Sequence, residues 1–242
     1  MKISLDSGHG INTQGKRTPD GMHEWEFNSQ VAMYAMAELD KYEDIELQRV
    51  DDVSGKIDVP LSTRTDKANS WGADVYISVH ANAFGTGGWN NTSGIETFTY
   101  PTASRESFVL AKLVQDELVK ATKRNDRGIK TANFAVLRET SMPAILVECG
   151  FMTNKEEATL LKSDSYRKTC ASAIVKGLAD MYGLKKKEGV KVAEDHGVSS
   201  WAVDAQKWVV DNKISDGKDP KDIVTREQLW TMLYRYAGNP KV

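Results

Sequence analysis

The chain has 242 residues, 40% apolar and 27% charged, with a formal net charge of −2. That balance is ordinary for a globular protein and lacks the basic footprint that nucleic acid would demand. No stretch nears the roughly 20 apolar residues needed to span a bilayer. Asp6 interrupts the first apolar run before a signal-peptide core can form. The expectation is synthesis in the cytoplasm without a classical export signal.

The first element is a strand, "KISLD" (2–6), which alternates and runs into a Gly-His-Gly turn at His9. From Glu26 to Lys41, Phe27, Val31, Tyr34, Ala35 and Leu39 recur at helical spacing. "IELQRV" (45–50) alternates as a second strand. "LSTRTDKANSWGAD" (61–74) reads as a helix closed at Gly72, where glycine accepts the left-handed conformation. "DVYISVH" (74–80) is β-branched and apolar, a strand ending in His80. The loop 82–94 is rich in glycine and asparagine and carries Trp89; it reads either as a mobile loop or as a plain surface connection. "GIETFTY" (94–100) is a further strand. The helix at 104–122 turns Phe108, Leu110, Ala111, Val114 and Leu118 inward. "AVLR" (135–138) reads as a short strand, and "AILVECG" (144–150) as an unbroken apolar one of the kind covered on both faces. A last helix runs from Ser163 to Tyr182, with Tyr166, Cys170, Ile174, Leu178 and Met181 on its inner face. Strands alternating with helices imply an α/β fold: a mostly parallel central sheet flanked by helices on both faces.

The charged run "GLKKKEGVK" marks a change of composition. The expected division is a large α/β domain over 1–184, a linker over 185–192 and a small helical domain over 193–242. The tail holds one helix with Trp201, Ala205, Trp208 and Val209 on a face. A second opens at Thr225, where Gln228 completes a capping box, and closes at Gly238. Fifty residues are marginal as an independent fold. The tail therefore needs the first domain, a partner or another copy of itself, with Trp201, Trp208 and Trp230 as the apolar contacts.

Three strand ends carry groups that bind metals or move protons: His9, His80 and Glu148. In open α/β sheets, sites form beyond the carboxyl ends of strands. Glu24, ahead of the first helix, is a fourth candidate, and His23 beside it is a substitute. Two histidines and a carboxylate hold catalytic zinc and leave a position open for water, while a second carboxylate serves as base. The residues alone leave open which of Glu24 and Glu148 plays which part. Each histidine also has a plain structural reading, and Glu148 has one as the ion-pair partner of Arg64 or Arg138. His196 lies far along the chain from the rest. Cys149 and Cys170 read as reduced, buried thiols.

The segments "ISLDSGHG", "HEWEFN", "LSTRTDKAN", "DVYISVHANA" and "PAILVECGFMTN" together resemble the zinc-dependent N-acetylmuramoyl-L-alanine amidases of the Amidase_3 family, over about residues 1 to 183. The resemblance implies His9, Glu24 and His80 as the ligands of Zn2+ and Glu148 as the catalytic base. Glu24 is chosen over Glu26 by its spacing of four from Asn28. The implied reaction is hydrolysis of the amide between N-acetylmuramic acid and L-alanine in peptidoglycan, leading to lysis of the cell wall. A zinc-dependent peptidase or sugar deacetylase acting on peptidoglycan is the alternative. A glycosidase using Glu24 and Glu148 would leave the histidines unexplained. The tail resembles a single surface-layer homology repeat, implying a bound wall polymer or self-association into a homo-oligomer. A catalytic domain followed by a small targeting tail matches the plan of a phage endolysin, released to the wall from the cytoplasm.

Overall fold

The computed structural model describes residues 1–187, 203–212 and 214. Six strands form one sheet in the order β2-β1-β3-β6-β4-β5. They are β1 (Lys2–Ser7), β2 (Glu46–Arg49), β3 (Val75–Asn82), β4 (Ile95–Thr99), β5 (Asp126–Thr131) and β6 (Ala144–Phe151). β2, β1, β3 and β6 run parallel. β4 is antiparallel to β6 and parallel to β5. The mostly parallel sheet expected from the sequence is therefore present, with a reversed pair at one side.

Both faces are covered, as the unbroken apolar strands require. Strand side chains alternate between faces. Ile3, Leu5, Val75, Ile77, Val79, Ile145 and Val147 point to one side. There they pack with α1 (Glu24–Leu39), α3 (Arg105–Thr122) and α6 (Asp164–Tyr182). Tyr76, Ala144 and Leu146 point to the other, under α2 (Leu61–Trp71) and α4 (Ala135–Arg138). Gly72 ends α2 in the left-handed conformation at φ 70°, as its position predicts. Phe108 departs from its expected inward placement and is 37% exposed.

The segment "AVLR" is corrected: it is the single helical turn α4, not a strand. Four apolar residues are too few for periodicity to tell the two apart. Val136 and Leu137 reach the core equally well from a turn, and Arg138 and Glu139 close it by donating N–H to the Phe134 and Ala135 carbonyls. The sequence reading omitted β5, an exposed edge strand, "DRGIKT", whose charges mask its alternation, and the short helix α5 (Lys155–Lys162).

The chain divides into two compact units, 1–186 and 187–242. In the second, α7 (Val203–Asp211) lies where a helix is predicted, and Trp208 on it is 48% exposed. Trp201, the helix opening at Thr225, Trp230 and His196 lie outside the described residues, as does most of the expected linker.

Candidate metal centre

After β1 the chain turns through Gly8, His9 and Gly10. His9 itself adopts the left-handed conformation, φ 66°, which costs a non-glycine residue about 1–2 kcal/mol. The flanking glycines are needed for close approach rather than for φ. A Cβ on Gly8 would lie 2.1 Å from the His80 ring, and one on Gly10 2.9 Å from the backbone of Asp58.

Glu24 opens α1 and is 2% exposed. Its carboxylate lies between two imidazoles. Oε2 is 3.3 Å from His9 Nε2, and Oε1 is 2.8 Å from His80 Nδ1. Asn28, one turn along, donates to Glu24 Oε1 at 3.2 Å and to the Gly8 carbonyl at 3.1 Å. It thereby ties the first ligand loop to the helix. The rings of His9 and His80 are perpendicular, with centroids 5.0 Å apart. One potential ligand atom from each of the three residues lies within 4.8 Å of the others.

Two ligands on a tetrahedral zinc, each roughly 2.0–2.1 Å from the ion, sit about 3.3 Å apart. The His9–Glu24 separation already has that value. Two imidazoles and a carboxylate are a donor set zinc favours, with a fourth position left to water, so the residues fit such an ion.

For His9 and Glu24 the electrostatics agree with this donor chemistry. Burial disfavours the charged form of His9 and lowers its pKa to about 4 against the pull of Glu24, with His80 and Lys16 adding to the drop. The ring is neutral at pH 7, as a ligand must be. Burial alone would raise the Glu24 carboxyl. The hydrogen bond and charge of His80, with the charge of His9, outweigh it and hold the pKa at about 2. For His80, burial acts downward and the bond to Glu24 prevails, leaving its pKa raised.

Glu148 stands on β6 in register with His80 on one side and Glu96 on the other. Its Oε2 is buried with no hydrogen-bond partner among the described residues. Burial pushes its pKa up to about 8. His80 opposes the shift; Glu24, Cys149 and Glu96 add to it. The ion pairs considered for it do not form. Arg64 is bound to Asp6 and Asp58, and Arg138 to Asn133 and Glu139. A carboxyl with raised proton affinity beside a ligand cluster is suited to taking and returning a proton.

His23 stays outside the cluster. It caps α1, its backbone N–H donates to Glu26 Oε2 at 2.6 Å, and its side chain borders a separate depression with Asn12 and Arg17. Both cysteines are free and buried, and the Cys149 carbonyl accepts from Tyr166.

A cleft of about 710 Å³ lies over the centre. It is lined by His9, His80 and Glu148, by the apolar groups of Val59, Pro60, Leu61 and Phe134 to Val136, and by the cationic Lys16 and Arg138. Trp89 is 42% exposed but borders a different depression, with Asn91 and Lys155. Its loop is tied by bonds from Phe84 N to Thr153 Oγ1 and from Asn90 N to the Thr153 carbonyl. Sequence reasoning used Asn28 only as a spacing marker. It considered Arg64 only as an ion-pair partner of Glu148, although Arg64 and Ala68 sit one turn apart on the buried face of α2.

Residues 3–180 match the family model described as N-acetylmuramoyl-L-alanine amidase. The chain is 36% identical over 189 residues to the N-acetylmuramoyl-L-alanine amidase CwlM of Bacillus licheniformis, covering 77% of this chain and 70% of that protein. It is 37% identical over 194 residues to an endolysin of Bacillus phage SPP1, covering 77% and 68%. Among solved structures, the N-acetylmuramoyl-L-alanine amidase from Clostridium difficile 630 superposes with a TM-score of 0.69 at 36% identity, over 74% of this chain and 95% of that one.

Proposed function

The chain belongs to the N-acetylmuramoyl-L-alanine amidase family, and from that premise we propose that it is a zinc enzyme of the bacterial cell wall. Its reaction is hydrolysis of the amide joining N-acetylmuramic acid to the L-alanine of the peptide stem in peptidoglycan. His9, Glu24 and His80 hold the metal, and Glu148 is the base. The observation that carries this reading is the meeting of three ligand atoms within 4.8 Å beside a carboxyl with an unpaired buried oxygen.

An amide resists neutral water, so the nucleophile must be sharpened and the departing nitrogen protonated. Zinc, when bound, supplies the Lewis acidity that brings the pKa of water to about 7. Glu148 takes the proton of the attacking water on its carboxylate and passes it to the alanine nitrogen as the C–N bond breaks. Burial raises its proton affinity in the metal-free site, which suits the return of the proton. Beside a bound zinc cation the carboxylate form that takes it is favoured. Asn28 keeps Glu24 facing the two imidazoles. Lys16 and Arg138, which line the cleft, would attract the carboxylates of a peptide stem.

Glu148→Gln tests the assignment. It should retain zinc and lower kcat by about 10²–10⁴-fold. Full activity in that variant would remove Glu148 from the reaction. Product analysis identifies the bond: free N-terminal L-alanine on released stems is expected. Release of acetate or of amino groups elsewhere in the stem would indicate a deacetylase or a peptidase. Action on the wall after endolysin-type release fits the likeness to the phage protein, and a wall polymer is the proposed ligand of the tail.

A further inference from the structure

We infer that Arg64 is a positioning residue for the metal centre, holding the His9 turn in its ligating conformation. The inference rests on the reading that His9, Glu24 and His80 bind zinc. Arg64 is the fourth residue of α2, and its side chain is 1% exposed. Its guanidinium makes five hydrogen bonds, all to the segments that build the turn and the adjacent cleft wall. Nη1 donates to Asp6 Oδ1 at 2.6 Å and to the Ser7 carbonyl at 2.7 Å. Nη2 donates to the His9 carbonyl at 3.1 Å and to Asp58 Oδ1 at 3.0 Å. Nε donates to the Val59 carbonyl at 2.8 Å.

The grip continues past His9. Gly10 N–H donates to Thr13 Oγ1 at 2.9 Å, and that hydroxyl donates to Asp58 Oδ2 at 2.6 Å. The Ser7–Gly8 and His9–Gly10 peptide groups are thus held by one connected set, Arg64, Asp58 and Thr13. A turn with its non-glycine residue at φ 66° relaxes unless its surroundings fix it. Here the fixing groups grip backbone carbonyls and an amide, leaving the imidazole free to face Glu24. Only a planar fork serves these five acceptors at once; an ammonium offers its protons from a single point.

Arg64→Lys separates geometry from charge, because the net charge around Asp6 and Asp58 is kept. In the full chain the substitution is expected to weaken zinc binding by about 10–100-fold in chelator competition, the usual consequence of losing a group that orients a ligand. It is also expected to change the visible spectrum of the cobalt-substituted protein. A purely structural arginine would lower the melting temperature of the metal-free protein and leave affinity and spectrum alone. Zinc affinity within about twofold of wild type, with an unaltered cobalt spectrum, would overturn the inference. If Arg64→Lys does not fold, Asp58→Ala decides the matter, since the Asp58 side chain is 44% exposed. Several-fold weaker zinc binding supports the clamp, and unchanged binding overturns it. A wild-type protein that takes up no zinc would instead overturn the metal reading beneath it.

Discussion

At the scale of single residues, the centre depends on close approach. Gly8 has no room for a side chain, because a Cβ would overlap the His80 ring. Gly8→Ala is expected to displace His80 or the turn and to weaken zinc binding at least about 10-fold. Chelator competition measures it, and wild-type affinity would show that the turn yields without cost. Glu148 gives a second prediction, in the metal-free protein. Its folded pKa is raised to about 8 from an ordinary value of about 4.3. Its favourable contribution is therefore intact below about pH 4 and is lost as the pH climbs toward 8. Glu148→Gln should flatten the fall in melting temperature across that window in chelator-treated protein. Parallel curves for the two proteins would mean that burial does not penalise the charge.

At the scale of elements, α3 and α6 meet where α6 has Gly177. A Cβ there would lie 2.7 Å from Val114 Cγ2 and 2.9 Å from the Val114 backbone. Alanine improves helix propensity by about 1 kcal/mol, but overpacking against backbone costs about 1–3 kcal/mol. Gly177→Ala should therefore lower the melting temperature, by several degrees at the upper end of that range. A rise would show that the helices can move apart freely. The long elements were legible because periodicity and caps agreed: Gly72 ended its helix, and the apolar runs of β1, β3 and β6 are strands. His9 lies just past the end of β1, and His80 and Glu148 lie within β3 and β6 rather than at their ends. Short or edge elements were not. α4 is one apolar turn whose pattern fits either structure, and β5 hides under charged side chains. Which carboxylate faces the imidazoles depends on how α1 packs beneath the sheet. No local pattern encodes that, and only the family resemblance distinguished Glu24 from Glu148. The grip of Arg64 escaped for the same reason, since its five acceptors come from residues 6 to 9 and 58 to 59.

At the scale of the whole molecule, the centre is built entirely within residues 1–186, a compact unit. The remaining segment carries the proposed wall-targeting role. Removing residues 190–242 should leave hydrolysis of soluble muropeptides within about twofold while reducing co-sedimentation with purified walls, the loss expected when one of two linked binding modules is removed. Unchanged sedimentation would exclude targeting by the tail. Within the described residues no helix is long and apolar enough to cross a membrane. The proposed chemistry joins both scales, since a zinc ion would link the turn after β1, α1 and β3 through His9, Glu24 and His80. Zinc titration of the chelator-stripped full chain, read as release of stems with free N-terminal L-alanine, tests that link. Activity should be absent without metal and recover in proportion to added zinc up to one ion per chain. Undiminished release of those stems from the stripped protein would contradict it.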